Sequence, residues 1–243
     1  MFKEENDDVY IGSIPISKLS KNETIETILE AAFLGKVLRV HLCNAFTIVS
    51  ADKDPELKQI LQESDLNIPD SKGIYWALRK NGLSDNFRGK DLLDSILATT
   101  GDSKLTHYMF GGKIGDEPKV IKSLQSAHHS IIYQVAPYIS DINRFDLGPL
   151  IKDIDASGAN LIWVGLGTPK QDKLVALLAK HVQVPIIPIG AVFDFIAGRQ
   201  KEAPLIMRKM SLEWLFRFAL EPRRLWKRYL IGNLAYLRIV FRG

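Results

Sequence analysis

A carboxylate, an arginine, an amide and two glycine turns fall where the apolar runs of this chain end. Asn44 follows the run at 37–42, and Asp70, with Gly73 close behind, follows the brief run at 65–68. Arg88 precedes an amphipathic stretch. Gly111, Gly112 and Gly115 follow the run at 106–110, and Gly165, Gly167, Lys170 and Gln171 follow the run at 161–164. Asp194 lies just beyond the last run, 184–189. Glycine turns that lead into helices present unpaired backbone N–H groups, which favour anions and phosphate above all. A carboxylate beside such a turn can take a proton from a hydroxyl. The set suits a ligand carrying both phosphate and hydroxyl groups, with Asp70 as the general-base candidate. The plainer role for Asp70 is to cap the next helix.

The elements that must carry these residues alternate. Residues 161–178 read as a buried strand, a glycine turn and a helix, because Leu174, Leu177 and Leu178 recur at helical spacing. The same order repeats around Gly111, with a helix after Pro118. Ser20 with Glu23 signals a helix start, stopped at Gly35. Asp54-Pro55 opens another helix. Further helices are predicted around 75–78, over 92–98 and over 147–155, with strands at 37–42, 65–68, 106–110, 130–135, 161–164 and 184–189. Residues 10–16 read as a short strand pair or an extended lead-in. Alternating strands and helices imply an α/β fold with a mostly parallel sheet and helices on both faces. Ligands bind such sheets beyond the carboxyl ends of the strands, so the residues above converge on one crevice.

The chain has 243 residues, a net charge of +4 and one cysteine, Cys43. That excludes an intramolecular disulfide framework and a multi-cysteine zinc site. No apolar run approaches the roughly 18 residues of a membrane-spanning helix. The polar, acidic start does not read as a secretory signal, so a cytoplasmic protein is expected. The charge is uneven. Residues 196–243 carry 11 basic against 3 acidic side chains, +8, and the rest carries 21 against 25, −4. This local basic character points to a partner surface. Residues 205–220 are amphipathic and read as one helix, with a second after Pro222. Basic side chains beside Trp, Phe and Leu suit an anionic membrane surface. The other reading is an apolar face packed on its own domain or on another subunit, which would make the chain a homo-oligomer.

Rival chemistries lack their motifs. There is no G-x-S-x-G elbow, no P-loop and no zinc helix, and His128-His129 is an adjacent pair facing different ways. No dinucleotide fingerprint follows the first core strand. Asp153 and Asp155 share the D-x-D spacing of metal-dependent sugar transferases, a triplet that also arises by chance, and no metal or cofactor is expected. The acidic core and the absence of a recognition module argue against a nucleic-acid partner.

Several motifs together resemble the WecG/TagA/CpsF group of bacterial glycosyltransferases. They are Asn44 to Ala51, Asp54 to Leu57, Pro69-Asp70 with Gly73, Arg88 to Leu92, Phe110 to Gly112, Gly165 to Asp172, Gly190 with Phe193-Asp194, Ala203-Pro204, and Glu213 to Arg217 through Glu221 to Tyr229. The resemblance implies a Rossmann-like catalytic domain over residues 1–195 and a basic helical appendage over 196–243. It implies inverting, metal-independent transfer from a UDP-sugar to a polyprenyl-diphosphate-linked saccharide at the inner face of the membrane. On that basis Asp70 is the base. Asn44, Arg88, Gly111, Gly112, Gly167, Lys170, Gln171 and Asp194 belong to the sugar-nucleotide pocket, and Arg217, Arg224 and Arg228 to the appendage. Leu42 stands where members related to TagA often carry Thr, which brings a hexose or uronic-acid donor into range. The alternative from another class is a nucleotide-sugar-binding subunit without turnover, docked on a membrane complex.

Overall fold

All six apolar runs become strands of one parallel sheet almost where the alternation places them. The computed structural model describes residues 8–100, 103, 105–124, 130–210, 212–226 and 232–242. An antiparallel hairpin, β1 (Asp8–Ile11) and β2 (Ile14–Ser17), comes first. It settles the reading of residues 10–16 as a strand pair. Helix α1 (Lys21–Phe33) starts at the capping box that Ser20 and Glu23 form. There follow β3 (Leu38–Cys43), α2 (Ala45–Lys53), α3 (Pro55–Gln62), β4 (Leu66–Pro69), α4 (Lys72–Leu78), α5 (Gly89–Thr99) and β5 (Thr106–Gly111). Next come α6 (Glu117–Leu124), β6 (Ser130–Val135), α7 (Gly148–Ser157), β7 (Leu161–Gly165), α8 (Lys170–Leu178), β8 (Pro185–Pro188) and α9 (Val192–Ile196).

The strands lie in the order β4-β3-β8-β7-β5-β6, and every pairing is parallel. Leu161, Ile162, Trp163 and Val164 of β7 are all fully buried, as both faces of a central parallel strand require. From β5 the chain runs outward through α6 to β6. From β7 it runs the other way, through α8 to β8. The sheet therefore reverses direction between β5 and β7, and a ligand crevice opens at such a switch point. The turns after these two strands are the glycine turns at Gly111 and Gly167.

Helix α2 is the element that the sequence pattern hides. Thr47, Ile48 and Val49 are β-branched and favour strands. The Asn44 side chain nevertheless accepts from the backbone N–H groups of Phe46 and Thr47, and this cap holds the segment helical.

The tail also differs from expectation. The single helix expected over 205–220 is divided into α10 (Leu205–Lys209) and α11 (Glu213–Leu220), with the chain turning between them. Pro222 opens α12 (Pro222–Trp226), as proline at a first helical position does. The last helix, α13 (Gly232–Val240), returns to the body of the protein. Its Tyr236 is buried in the cluster that holds the hairpin and α2, and its hydroxyl donates to the carbonyl of Gly73 at 3.2 Å. His128-His129 and Arg228 lie outside the described residues.

Candidate active site

Asp70 follows β4 at the carboxyl edge of the sheet, next to the end of β3. Its backbone N–H donates to Cys43 O at 2.8 Å, which continues the β3–β4 pairing by one more bond. Among the described residues each oxygen of its side chain has one donor: Gly89 N to Oδ1 at 3.2 Å and Asn44 Nδ2 to Oδ2 at 3.1 Å. The Asn44 Oδ1 is already taken by the α2 cap, so its NH2 end must face Asp70. A carboxylate oxygen accepts two hydrogen bonds, so each retains a lone pair for an incoming proton. Asp70 keeps an accessible face but is enclosed on the others. Burial is the largest effect on its carboxyl and, with the Glu213 charge, raises its pKa to about 6, while Asn44, Gly89 and Arg88 pull it down. It is therefore ionised at neutral pH and a stronger base than a solvated carboxylate.

Arg88 stands at the N-cap of α5, one residue before the amide that holds Asp70. Its Nε lies 3.1 Å from Glu213 Oε2 on α11. Glu213 also accepts from Arg217 at 3.1 Å, and the Arg217 guanidinium lies 5.0 Å from the centre of the Phe195 ring, on α9. The appendage thus reaches the sheet edge beside Asp70. Leu42, near the end of β3, turns its side chain into the core. A Cβ added to Gly89 would meet the Leu42 Cδ1 at 2.8 Å. The Leu42 side chain thus packs under Gly89, whose amide holds Asp70.

The switch-point turns are built for close approach. Gly111 pairs with Gly165, and a Cβ at Gly111 would lie 2.6 Å from the Gly165 carbonyl oxygen, at a φ of 149° that L side chains rarely adopt. Gly167 follows at φ 78°. Gln171 is buried, and its Oε1 accepts from Gly167 N at 2.9 Å and from Gly190 N at 3.1 Å. It staples the turns after β7 and β8 together and keeps only its NH2 end for a ligand. Next to it, Asp172 Oδ1 lies 2.9 Å from His41 Nδ1, both side chains fully buried, which ties the start of α8 to β3. Lys170 turns the other way. Its ammonium donates to Ile139 O and sits 5.7 Å from the Tyr138 ring centre, at the loop after β6.

Asp194, in the first turn of α9, is paired with Arg199, which also binds Asp116 in the Gly111–Gly112 loop. This ionic group walls the β5 side of the crevice. Across the sheet edge from it, Asp70, Asn44 and Arg88 form a second group at β3 and β4. Arg224 lies in α12. Asp153 leaves the crevice altogether. It accepts from the Tyr108 hydroxyl, on a helix whose end leads into the start of β7. Two pairings are not anticipated from the sequence: Glu213 and Asp172 stand in the quoted motifs without an assigned partner, and the structure pairs them with Arg88 and with His41. The only local trace of the first is that Glu213 and Arg217 stand four apart on one helix.

The crevice therefore offers a partly accessible carboxylate with a raised pKa, an arginine with an appendage carboxylate on one edge, and two glycine turns at a switch point. This is the equipment for moving a group between a phosphate-bearing donor and a hydroxyl. The family model described as "Glycosyl transferase WecG/TagA/CpsF family" matches residues 9–243, the whole of this architecture, and the chain is a glycosyltransferase of that family.

Proposed function

We propose that the protein transfers a sugar from a UDP-sugar to a polyprenyl-diphosphate-linked saccharide, with inversion at the anomeric carbon, in the synthesis of a surface polysaccharide or teichoic-acid-like polymer. The observation that carries this reading is Asp70, held by Asn44 and Gly89 with lone pairs open to the crevice and Arg88 beside it. Asp70 takes the proton of the acceptor hydroxyl. The hydroxyl oxygen attacks the anomeric carbon, and the bond to the UDP β-phosphate oxygen breaks. A single displacement of this kind inverts the centre. Arg88, the amide NH2 of Gln171 and the turn N–H groups next to Gly111 and Gly167, the Gly167 N–H itself being held by Gln171, hold the departing diphosphate. The uridine end then extends toward the wall formed by Asp194, Arg199 and Asp116.

The acceptor's lipid would reach the site from a membrane surface. No helix among the described residues is long and apolar enough to cross a membrane. The appendage instead exposes Ile206, Met210, Trp214, Leu215, Leu220 and Trp226, in a segment rich in arginine. Apolar side chains interleaved with cations suit peripheral attachment to anionic lipid.

The test is UDP release from a panel of UDP-sugars with a short-chain lipid-diphosphate-sugar acceptor. One donor should turn over, and Asp70→Asn should lower its turnover by about 10²–10⁴-fold, the usual range for loss of a positioned base. UDP affinity should stay near wild type. Wild-type turnover by Asp70→Asn removes Asp70 from the base role. UDP binding without turnover by any donor, across a widened acceptor panel, favours the non-catalytic binding subunit.

A further inference from the structure

Arg88 and Glu213 are 125 residues apart and belong to different parts of the molecule. Glu213 takes one edge of the Arg88 guanidinium, with Oε2 3.1 Å from Nε and Oε1 3.3 Å from Nη2. The same Oε1 accepts from Arg217 Nη2 at 3.1 Å. The Nη1 side of Arg88 meets Asp91 only at 3.6 Å, and Asp91 is 45% exposed, so that contact contributes little in water. One edge of Arg88 is thus fixed and the other is held loosely enough for an anion to displace Asp91. Without a carboxylate between them, Arg88 and Arg217 would repel. Arg217 is steadied on its other side by the Phe195 ring.

We propose that Glu213 is the positioning residue that makes the appendage part of the active site, holding Arg88 by one edge and Arg217 beside it so that both guanidinium groups serve the departing diphosphate only while α11 is seated. This rests on the assignment of Arg88 to the donor diphosphate. Glu213 touches neither donor nor acceptor in this role and acts through the two arginines. Its charge has a second effect. The groups that set the Asp70 carboxyl are Asn44 from α2, Gly89 and Arg88 at the start of α5, and Glu213 from α11. The Cys43 thiol lies beneath it at the end of β3, itself pushed up by burial. Of the charged groups, Arg88 lowers the Asp70 pKa and Glu213 raises it. Seating α11 therefore strengthens the base as it completes the anion site.

The test is Glu213→Gln in the full chain, with three readouts. Chymotrypsin, without substrate, should cut the appendage about tenfold faster, the equivalent of about 1.4 kcal/mol of lost seating. In 13C-aspartate-labelled protein, the Asp70 titration midpoint should fall by about half a pH unit or more, as loss of a nearby like charge requires. In the UDP-release assay kcat should fall more than KM rises. Arg217→Gln, which leaves the Arg88–Glu213 pair in place, should show a smaller rise in cleavage. Unchanged cleavage together with an unchanged Asp70 midpoint in Glu213→Gln overturns the proposal, whatever the enzyme turns over. If both move but the wild-type protein binds no UDP, the donor assignment of Arg88 fails, and the positioning role falls with it.

Discussion

The Asn44 amide joins a helix cap to the Asp70 carboxylate: its Oδ1 holds the first N–H groups of α2, and its Nδ2 donates to Asp70 Oδ2 at 3.1 Å. One residue thus sets the end of β3, the start of α2 and the charge state of the carboxylate.

Replacing Asn44 should separate these effects. Asn44→Ala removes a donor that favours the ionised form, so the Asp70 pKa rises above about 6. The acid limb of the kcat/KM profile should move to higher pH. The lost cap should also cost about 1 kcal/mol of stability, read by urea denaturation. A profile that stays in place would show that the amide caps α2 without tuning the base.

Asp70 should cost stability when charged. Its pKa is raised on folding from the ordinary aspartate value of 3.8 to about 6. The folded protein therefore holds the proton more tightly than the unfolded chain. Stability is highest below the unfolded value, falls between about pH 4 and pH 6, and levels above that. Asp70→Asn should be more stable than wild type at pH 7.5 by on the order of 1–3 kcal/mol, with the gain gone at pH 4. Equal melting temperatures at both pH values would contradict this.

Gly111→Ala tests the switch point. The new methyl would press on the Gly165 carbonyl at 2.6 Å, and the backbone there is unfavourable for any side chain. The expected loss is about 2–4 kcal/mol by chemical denaturation. Where the protein still folds, UDP binding should weaken, because both turns of the crevice move. A variant as stable as wild type would mean that the two strand ends separate freely.

Substitutions in the appendage test membrane contact apart from folding. Trp226→Ala and Leu220→Ala remove side chains that are about half exposed, so the melting temperature should barely change. Binding to anionic vesicles should fall about 30-fold or more for the pair, given ~1–2 kcal/mol of apolar insertion per large side chain. Unchanged vesicle binding would assign these faces to a second copy of the chain, read by sedimentation. Deleting residues 197–243 is a harsher change. It also removes Tyr236 from the core it shares with the hairpin, so the truncated protein should lose stability as well as activity.

Much of the candidate site was legible because its residues obey local rules. Glycine turns after apolar runs, a polar residue at each strand end and a proline at a helix start are written in short windows, and Asn44, Asp70 and Arg88 were found that way. Helix α2 was not legible, because the β-branched run 47–49 masks a cap supplied from outside the helix. Gln171 was read as reaching for a ligand. Its partners include Gly190 N, from a turn that no short window around Gln171 contains. The division of the tail into α10 and α11 was likewise invisible to periodicity.

The sequence by itself determined the α/β class, the basic tail and the residues that end each strand, because these follow from alternation, composition and turn chemistry within a few residues. Only the tertiary structure decided the strand order β4-β3-β8-β7-β5-β6 and the reversal between β5 and β7. It also decided that Asp153 sits away from the crevice, and that Glu213 closes on Arg88. Such pairings join segments that are far apart in the chain. They are settled by which buried faces and charges find each other when the layers pack, and no spacing along the sequence records that.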